Sequence, residues 1–275
     1  MGRMGNQRDG RVLVIGAGVA GAAVAERLGR AGVEVHLIEK AAQIGGRVRQ
    51  MGCKATEVCL RCGVCVADAI LRAVSSLPTV HIHLTTELVA LTPGVNGRRF
   101  RTWLQSVGDT ARRTLDVDAV IVAIGYTPYD PAEQAAWGYR RSPNVITGVD
   151  AERQLAAAQR ITRPSDGAVP RRVAFVQCVG SRSEEAFRRP EDTDYCSTVC
   201  CAYALRMARR LRQDAPDAAI TVFHMDIQNF DKNFAEFDTD CRRALRLVRA
   251  RPFEIRPAPD GTVRMRYATG AAPDH

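Results

Sequence analysis

Lysine is almost absent. It occurs only at Lys40, Lys54 and Lys232, so arginine carries the net charge of +9. The arginines fall in scattered pairs such as Arg112–Arg113, Arg171–Arg172, Arg188–Arg189 and Arg242–Arg243. A nucleic-acid reader concentrates its charge on one element. Scattered pairs read instead as a solvated surface that helps docking to an acidic protein, and no nucleic-acid partner is expected. Aromatic residues make up only 6% of the chain, too few for a platform that stacks single-stranded bases. No apolar run approaches the roughly 18 residues of a membrane-spanning helix. The start, MGRMGNQRDGR then VLVIGAGVAGAAVA, has the outline of a secretory leader but reads better as strand, loop and helix. Asn6 stands where a myristoylation signal needs Ser or Thr. A cytoplasmic protein is expected. Low-complexity tracts, Ser-His-Asp arrangements and paired catalytic carboxylates are missing too, and no catalytic residue is assigned.

What is present is ordinary globular composition, 46% hydrophobic and 25% charged over 275 residues. That length holds one large or two small domains. Arg11–Ile15 is a β-branched strand ending in glycines, Val19–Arg30 has helical spacing, and Val33–Glu39 is a second strand. Together they form a βαβ unit. A helix is expected over Ala67–Ser76. Val80–Leu84, Glu87–Leu91, Arg99–Ser106 and Ala111–Leu115 read as an antiparallel meander. Ala119–Ile124 reads as a buried parallel strand. A helix at Asp150–Ala158 precedes a turn-rich Arg163–Gly167 linker. The strand–helix–strand pattern then recurs in Val173–Gln177, Ser197–Gln213 and Ala219–Asp226. Phe237–Arg249 reads as a third helix and Phe253–Tyr267 as a hairpin. His81 and His83 share a strand face, read as a polar sheet surface. Cys241 reads as a buried structural thiol.

Gly16-Ala17-Gly18-Val19-Ala20-Gly21 is G-x-G-x-x-G between a strand and a helix, and Glu39 follows 18 residues past Gly21. That context is the dinucleotide-binding fingerprint. Gly16 allows the tight turn, Gly18 lets a pyrophosphate approach, and Gly21 lets helix pack on strand. The amides of Val19, Ala20 and Gly21 face the phosphates, and Glu39, followed by Lys40, can accept from the ribose hydroxyls. Gly45-Gly46-Arg47 after the acidic strand, and Ile124-Gly125 in VIVAIGY, resemble FAD-binding two-dinucleotide-domain flavoproteins. FAD is therefore favoured over NAD.

Eight of the nine cysteines form two groups of four. Cys59, Cys62 and Cys65 are C-x2-C-x2-C, with Cys53 six residues upstream as the local fourth ligand. This spacing suits a [4Fe–4S] cluster, and zinc competes with it. Cys178 ends a strand, and Cys196, Cys200 and Cys201 follow at a helix start, where the positive helix end stabilises thiolates. A redox-active Cys200-Cys201 pair is the alternative. The cysteine loop takes the place a phosphate-binding glycine loop would have, so this half is not expected to bind NAD(P)H.

RPSDG at 163–167, VAFVQCVGSR at 173–182, YCSTVCCAYAL at 195–205 and TVFHMDI at 221–227 resemble the A subunit of heterodisulfide reductase. They equally resemble its relatives in sulfur-oxidising and quinone-interacting complexes, over essentially the whole chain. The resemblance implies a [4Fe–4S] cluster on Cys178, Cys196, Cys200 and Cys201, and FAD on Gly16, Gly18, Gly21 and Glu39. The fold class is then α/β: a Rossmann-like FAD domain at 1–130, a connecting segment at 131–170, and a second, cluster-bearing Rossmann-like domain at 171–275. The implied role is an electron-transferring iron–sulfur flavoprotein working with other subunits of a heterodisulfide-reductase-like complex, with homodimerisation a further option. Asp226, Asp231 and Lys232 resemble family positions without a derivable role. The alternatives are a stand-alone NAD(P)H-dependent disulfide reductase and a non-catalytic, truncated metal-binding remnant. The family's flavin domain returns after the second domain, so the short chain is expected to hold FAD weakly.

Overall fold

The computed structural model describes residues 10–94, 98–183, 192–230 and 232–268. The Arg188–Arg189 pair, Asp231 and both chain ends lie outside them. The chain divides into two compact units. One holds the chain up to Gln50 together with Gly63–Thr127, and the other holds Met51–Cys62 and the chain from Pro128 on.

In the first unit, β1 (Arg11–Ile15), α1 (Val19–Arg30) and β2 (Glu34–Ile38) form the expected βαβ crossover. A second helix, α2 (Val64–Ser76), leads to β3 (Val80–His83). The antiparallel strands β4 (Thr86–Pro93), β5 (Phe100–Ser106) and β6 (Arg112–Val117) follow, and β7 (Ala119–Val122) returns to the first sheet. That sheet is wholly parallel, in the order β3-β2-β1-β7. Its strands alternate between two cores, as period-two side-chain placement dictates. Val12, Val14, Val35 and Leu37 pack with Ala22, Ala25 and Val74 of the two helices. Leu13 and Ile38 pack with Leu104 and Val117 of the meander. Each fully buried aliphatic side chain contributes about 1.5–3 kcal/mol.

Two expectations change here. The strand at Val80 belongs to the parallel sheet, in register with β2 from Val35↔Val80 to Ile38↔His83, and not to the meander. The meander has three strands, β4-β5-β6. The strand at Ala119 is shorter than expected and only half buried, with Val122 66% and Ile124 74% exposed. Among the described residues it pairs with β1 alone, which makes it an edge strand, where apolar composition does not bring burial.

In the second unit, α3 (Gly148–Ala158) begins at a capping box in which Thr147 and Asp150 satisfy each other's amides. The strand β8 (Arg172–Val176), helix α4 (Cys200–Asp214) and strand β9 (Ala219–His224) form a second parallel crossover. Then α5 (Phe234–Ala244) leads to β10 (Arg246–Arg249), which adds parallel to β9. The expected helix over Phe237–Arg249 is thus a shorter helix plus a strand. Leu245 ends α5 with extended backbone, and Leu247 and Val248 pair with Val222 and Phe223. The sheet is β10-β9-β8, and its core joins Leu155 of α3 to Leu205, Met207, Leu211, Val222 and Cys241. Cys241 is fully buried, as a structural thiol would be. A hairpin of β11 (Pro252–Pro257) and β12 (Val263–Tyr267) ends the described chain. Among the described residues, no helix is long and apolar enough to cross a membrane.

Candidate functional sites

The glycine turn sits at the carboxyl ends of β1, β2 and β7, where open parallel sheets bind ligands. Gly16 follows β1 with φ +95°, and a Cβ there would stand 2.5 Å from the Ala123 carbonyl oxygen. A Cβ on Gly21 would stand 1.9 Å from the Gly16 carbonyl oxygen. Both positions therefore exclude a side chain. Gly18 differs: it is the N-cap of α1 with extended backbone, and its Cβ direction meets nothing within 4 Å. No side chain caps α1 and its first turn holds no acidic residue, so the amides that open the helix keep their positive potential for an anion.

Glu39 is nearly buried and organises this turn. Its Oε2 accepts from the Ala17 amide at 2.9 Å, and its Oε1 accepts from the Ala41 amide at 2.9 Å. A carboxylate has about four lone-pair sites, so two remain for a ligand. The Gly45 amide donates to the Ala17 carbonyl at 2.7 Å, and Gly46 approaches the Cα of Gly18. Arg47 Nε donates to the Tyr126 carbonyl at 3.0 Å, and its guanidinium lies 5.1 Å from the Tyr126 ring centroid. Gly125 has φ +74° and Ile124 backs onto Gly16. The structure thus gathers Gly16, Gly18, Val19, Ala20, Gly21, Glu39, Gly45, Gly46, Arg47, Ile124 and Gly125, while Lys40 is exposed beside them. Tyr126 and Ala123 were not singled out from the sequence. Their contributions are a ring face and a backbone carbonyl, which leave no spacing signature.

In the second unit, Cys178 follows β8 in left-handed backbone (φ 57°) and is 6% exposed. Arg182 and Thr198, in the same loops, are left-handed too. Such conformations are costly for non-glycine residues and cluster at functional sites. Cys200 and Cys201 open α4, whose N-cap Val199 supplies no side-chain cap. Gln177 Nε2 donates to the Cys200 carbonyl at 3.4 Å. The Cys201 thiol, the Ser197 hydroxyl and the first helix amides donate to the Cys200 sulfur and hold its pKa well below the ordinary thiol range. The same thiol–thiol bond, with burial, pushes Cys201 up. Burial and the neighbouring Cys200 raise Cys178, and Cys196 is within electrostatic reach of it. Cys200 and Cys201 are thus bonded to each other at the start of α4, with Cys178 and Cys196 within electrostatic reach. Among the described residues, no three His, Cys, Asp or Glu side chains already stand in metal-ligand arrangement.

The first cysteine group lies elsewhere. Cys53 and Cys59 are exposed, and Cys62 is half-buried, on the Met51–Cys62 stretch of the second unit. Cys65 lies on α2 of the first unit, whose start at Val64 is earlier than expected. A local feature recurs in both groups. The Ala55 amide donates to Cys53 sulfur at 3.4 Å, the Arg61 amide to Cys59 sulfur at 3.4 Å, and the Thr198 amide to Cys196 sulfur at 3.3 Å. Amides aimed at sulfur two residues back are donors that stabilise thiolate ligands. All eight donors are thiols, the ligand class of an iron–sulfur centre.

The Met51–Cys62 stretch is held by a buried ion pair. Lys54 Nζ lies 2.5 Å from Glu152 Oε1, with side-chain exposures of 3% and 2%. The Gly52 amide donates to Glu152 Oε2 at 3.1 Å, and Arg206 Nε donates to the Leu60 carbonyl at 2.7 Å. Sequence patterns do not betray this clamp, because its partners stand some 100 residues apart in the chain.

The sequence profile of the pyridine nucleotide-disulphide oxidoreductase family matches residues 10–176. Over 158 residues the chain is 40% identical to the A subunit of the H(2):CoB-CoM heterodisulfide,ferredoxin reductase of Methanothermobacter thermautotrophicus, covering 55% of this chain and 23% of that protein. Over 152 residues it is 40% identical to the second iron-sulfur A subunit of the CoB--CoM heterodisulfide reductase of Methanopyrus kandleri, covering 53% and 22%. The chain spans about a quarter of the length of these relatives, and the alignments take in about half of it rather than the whole. Among solved structures, the HOCl-induced flavoprotein disulfide reductase RclA of Escherichia coli shares the fold, with a TM-score of 0.52 at 14% identity, over 94% of this chain and 53% of that one.

Proposed function

Because the chain belongs to the pyridine nucleotide-disulphide oxidoreductase family, we propose that it is an iron–sulfur flavoprotein that passes electrons between FAD and cysteine-bound [4Fe–4S] centres. It would serve as part of the flavin-bearing A subunit in a heterodisulfide-reductase-like complex, in the cytoplasm, with other subunits performing the substrate chemistry. The observation that carries this reading is the second cysteine group. Cys178 follows β8, where a second Rossmann-like unit would otherwise present its phosphate-binding glycine loop, and Cys200 and Cys201 open the helix that comes next.

In the first unit, the open α1 amides would bind the pyrophosphate of FAD and Gly18 would admit it. The spare Glu39 lone pairs would accept from the ribose. Gly45, Gly46 and Arg47, tied to Ala17 and Tyr126, would close over the phosphates. FAD when bound takes up electrons in pairs and releases them singly, which is the cofactor's own chemistry. Cys178, Cys196, Cys200 and Cys201 would ligate one centre. Cys53, Cys59 and Cys62, all on the Met51–Cys62 stretch, would supply ligands to a second.

A disulfide-reductase reading has one observation in its favour, the unequal acidity of adjacent Cys200 and Cys201. Against it, the Tyr129 ring packs on Gly180 so closely that a Cβ there would stand 2.2 Å from ring carbon. The Tyr129 ring therefore fills the space over Gly180 in the loop after β8. Anaerobic purification and reconstitution test the proposal. Flavin absorbance with iron and acid-labile sulfide supports it. Zinc in place of iron, or NAD(P)H consumption by an iron-free chain, overturns it.

A further inference from the structure

Arg182 lies within electrostatic reach of the second cysteine group and is paired with Asp226. Arg182 comes four residues after Cys178, and its Nη1 donates to Asp226 Oδ1. Gln228 Nε2 donates to Asp226 Oδ2 at 2.7 Å, so both carboxylate oxygens are engaged. The Cys201 sulfur lies 3.9 Å from the Asp226 main-chain oxygen. The Arg182 guanidinium interacts electrostatically with Cys178 and Cys196. Arg251 acts electrostatically on Cys178, and Arg249 on Asp226, as further cations. The pair is partly exposed, at 24% and 39% for its side chains.

We propose that Arg182 and Asp226 are positioning residues that form a charge-balanced pair beside the centre held by Cys178, Cys196, Cys200 and Cys201, so that the loss of either charge alone moves its reduction potential. The inference rests on the iron–sulfur reading of that group. An iron–sulfur centre gains one negative charge when it takes up one electron, and no bond forms or breaks. Nearby charge is one of the determinants of its potential. In the native pair the Arg182 charge favours the added electron and the Asp226 charge opposes it. As an ion pair they carry no net charge. Removing either exposes the other.

The test is a mediated redox titration of the reconstituted full chain, poised with viologen dyes and read by electron paramagnetic resonance. Arg182→Met shifts the midpoint negative, so that at a fixed potential the reduced-to-oxidised ratio falls about fivefold, in keeping with a partly exposed charge. Asp226→Asn, nearly isosteric, shifts it positive by a comparable factor. Arg182→Lys and the Arg182→Met/Asp226→Asn double variant stay close to wild type. Raising the salt shrinks both single shifts. A purely structural role would lower iron content in both single variants and would not give shifts of opposite sign. Unchanged midpoints, shifts of one sign, or iron lost from both variants each overturn the inference while leaving the iron–sulfur reading standing. A wild-type chain that holds no iron overturns that reading, and this inference with it.

Discussion

Glu152 offers the sharpest perturbation of the cysteine-bearing stretch. Replacing it with leucine leaves the Lys54 ammonium at 3% exposure with no carboxylate beside it. Breaking a buried pair from one side costs about 3–5 kcal/mol, because a bare charge stays in a poor solvent. The Gly52 amide loses its acceptor in the same step, which adds about 1–3 kcal/mol if it stays buried. The cheaper response is to release the stretch, so the realised loss is nearer the lower bound, about 3 kcal/mol. At roughly 2–4 °C per kcal/mol, melting falls by about 10 °C. Lys54→Met/Glu152→Leu removes both charges and fills similar volume, and such exchanges are often neutral or stabilising. Thermal unfolding and amide exchange at Gly52 read the outcome. The single variant should melt early with fast Gly52 exchange, and the double variant should recover both. A single variant within about 1 kcal/mol of wild type, or a double variant no better than it, refutes the clamp.

Other outcomes follow from the same geometry. Gly18→Ala meets open space at φ −70° and should fold normally, yet its methyl group should weaken FAD retention at least tenfold in equilibrium dialysis. Gly21→Ala drives a methyl group into the Gly16 carbonyl and should lose both flavin and stability, which separates a ligand-facing glycine from a packing one. Acid should weaken the first unit through His83, whose pKa is held down to about 4 by burial, with Arg113, His36 and His81 adding to the effect. Above about pH 6.5 both folded and unfolded states are neutral there. As pH falls towards 4 only the unfolded state gains the proton, so stability drops by about 1–2 kcal/mol after allowing for partial exposure. In urea unfolding at pH 7 and 4.5, His83→Asn should show a smaller loss than wild type, and an equal loss would remove His83 from the account.

Local patterns were legible and distant ones were not. Gly16, Gly18, Gly21 and Glu39 could be read because a tight turn, a phosphate approach and a strand end each impose a residue type at a fixed offset. The second βαβ unit was legible for the same reason. The pairing of β3 with β2 was not, since Val80–His83 alternates equally well for either kind of sheet and only the α2 crossover decides it. Arg246–Arg249 was hidden because arginines flanking Leu247 and Val248 continue the polar spacing of α5. The Lys54–Glu152 clamp and the Arg182–Asp226 pair are invisible to any short window, because each joins segments that meet only in the folded chain.

If Cys178, Cys196, Cys200 and Cys201 hold an iron–sulfur centre, removing one ligand removes its metal. Iron and acid-labile sulfide per chain, measured after anaerobic reconstitution of the wild type and of Cys178→Ser, test it most directly. The variant should lose about four iron and four sulfide relative to wild type while keeping its flavin-binding behaviour. Equal iron in the two proteins, or zinc without sulfide in the wild type, would contradict it.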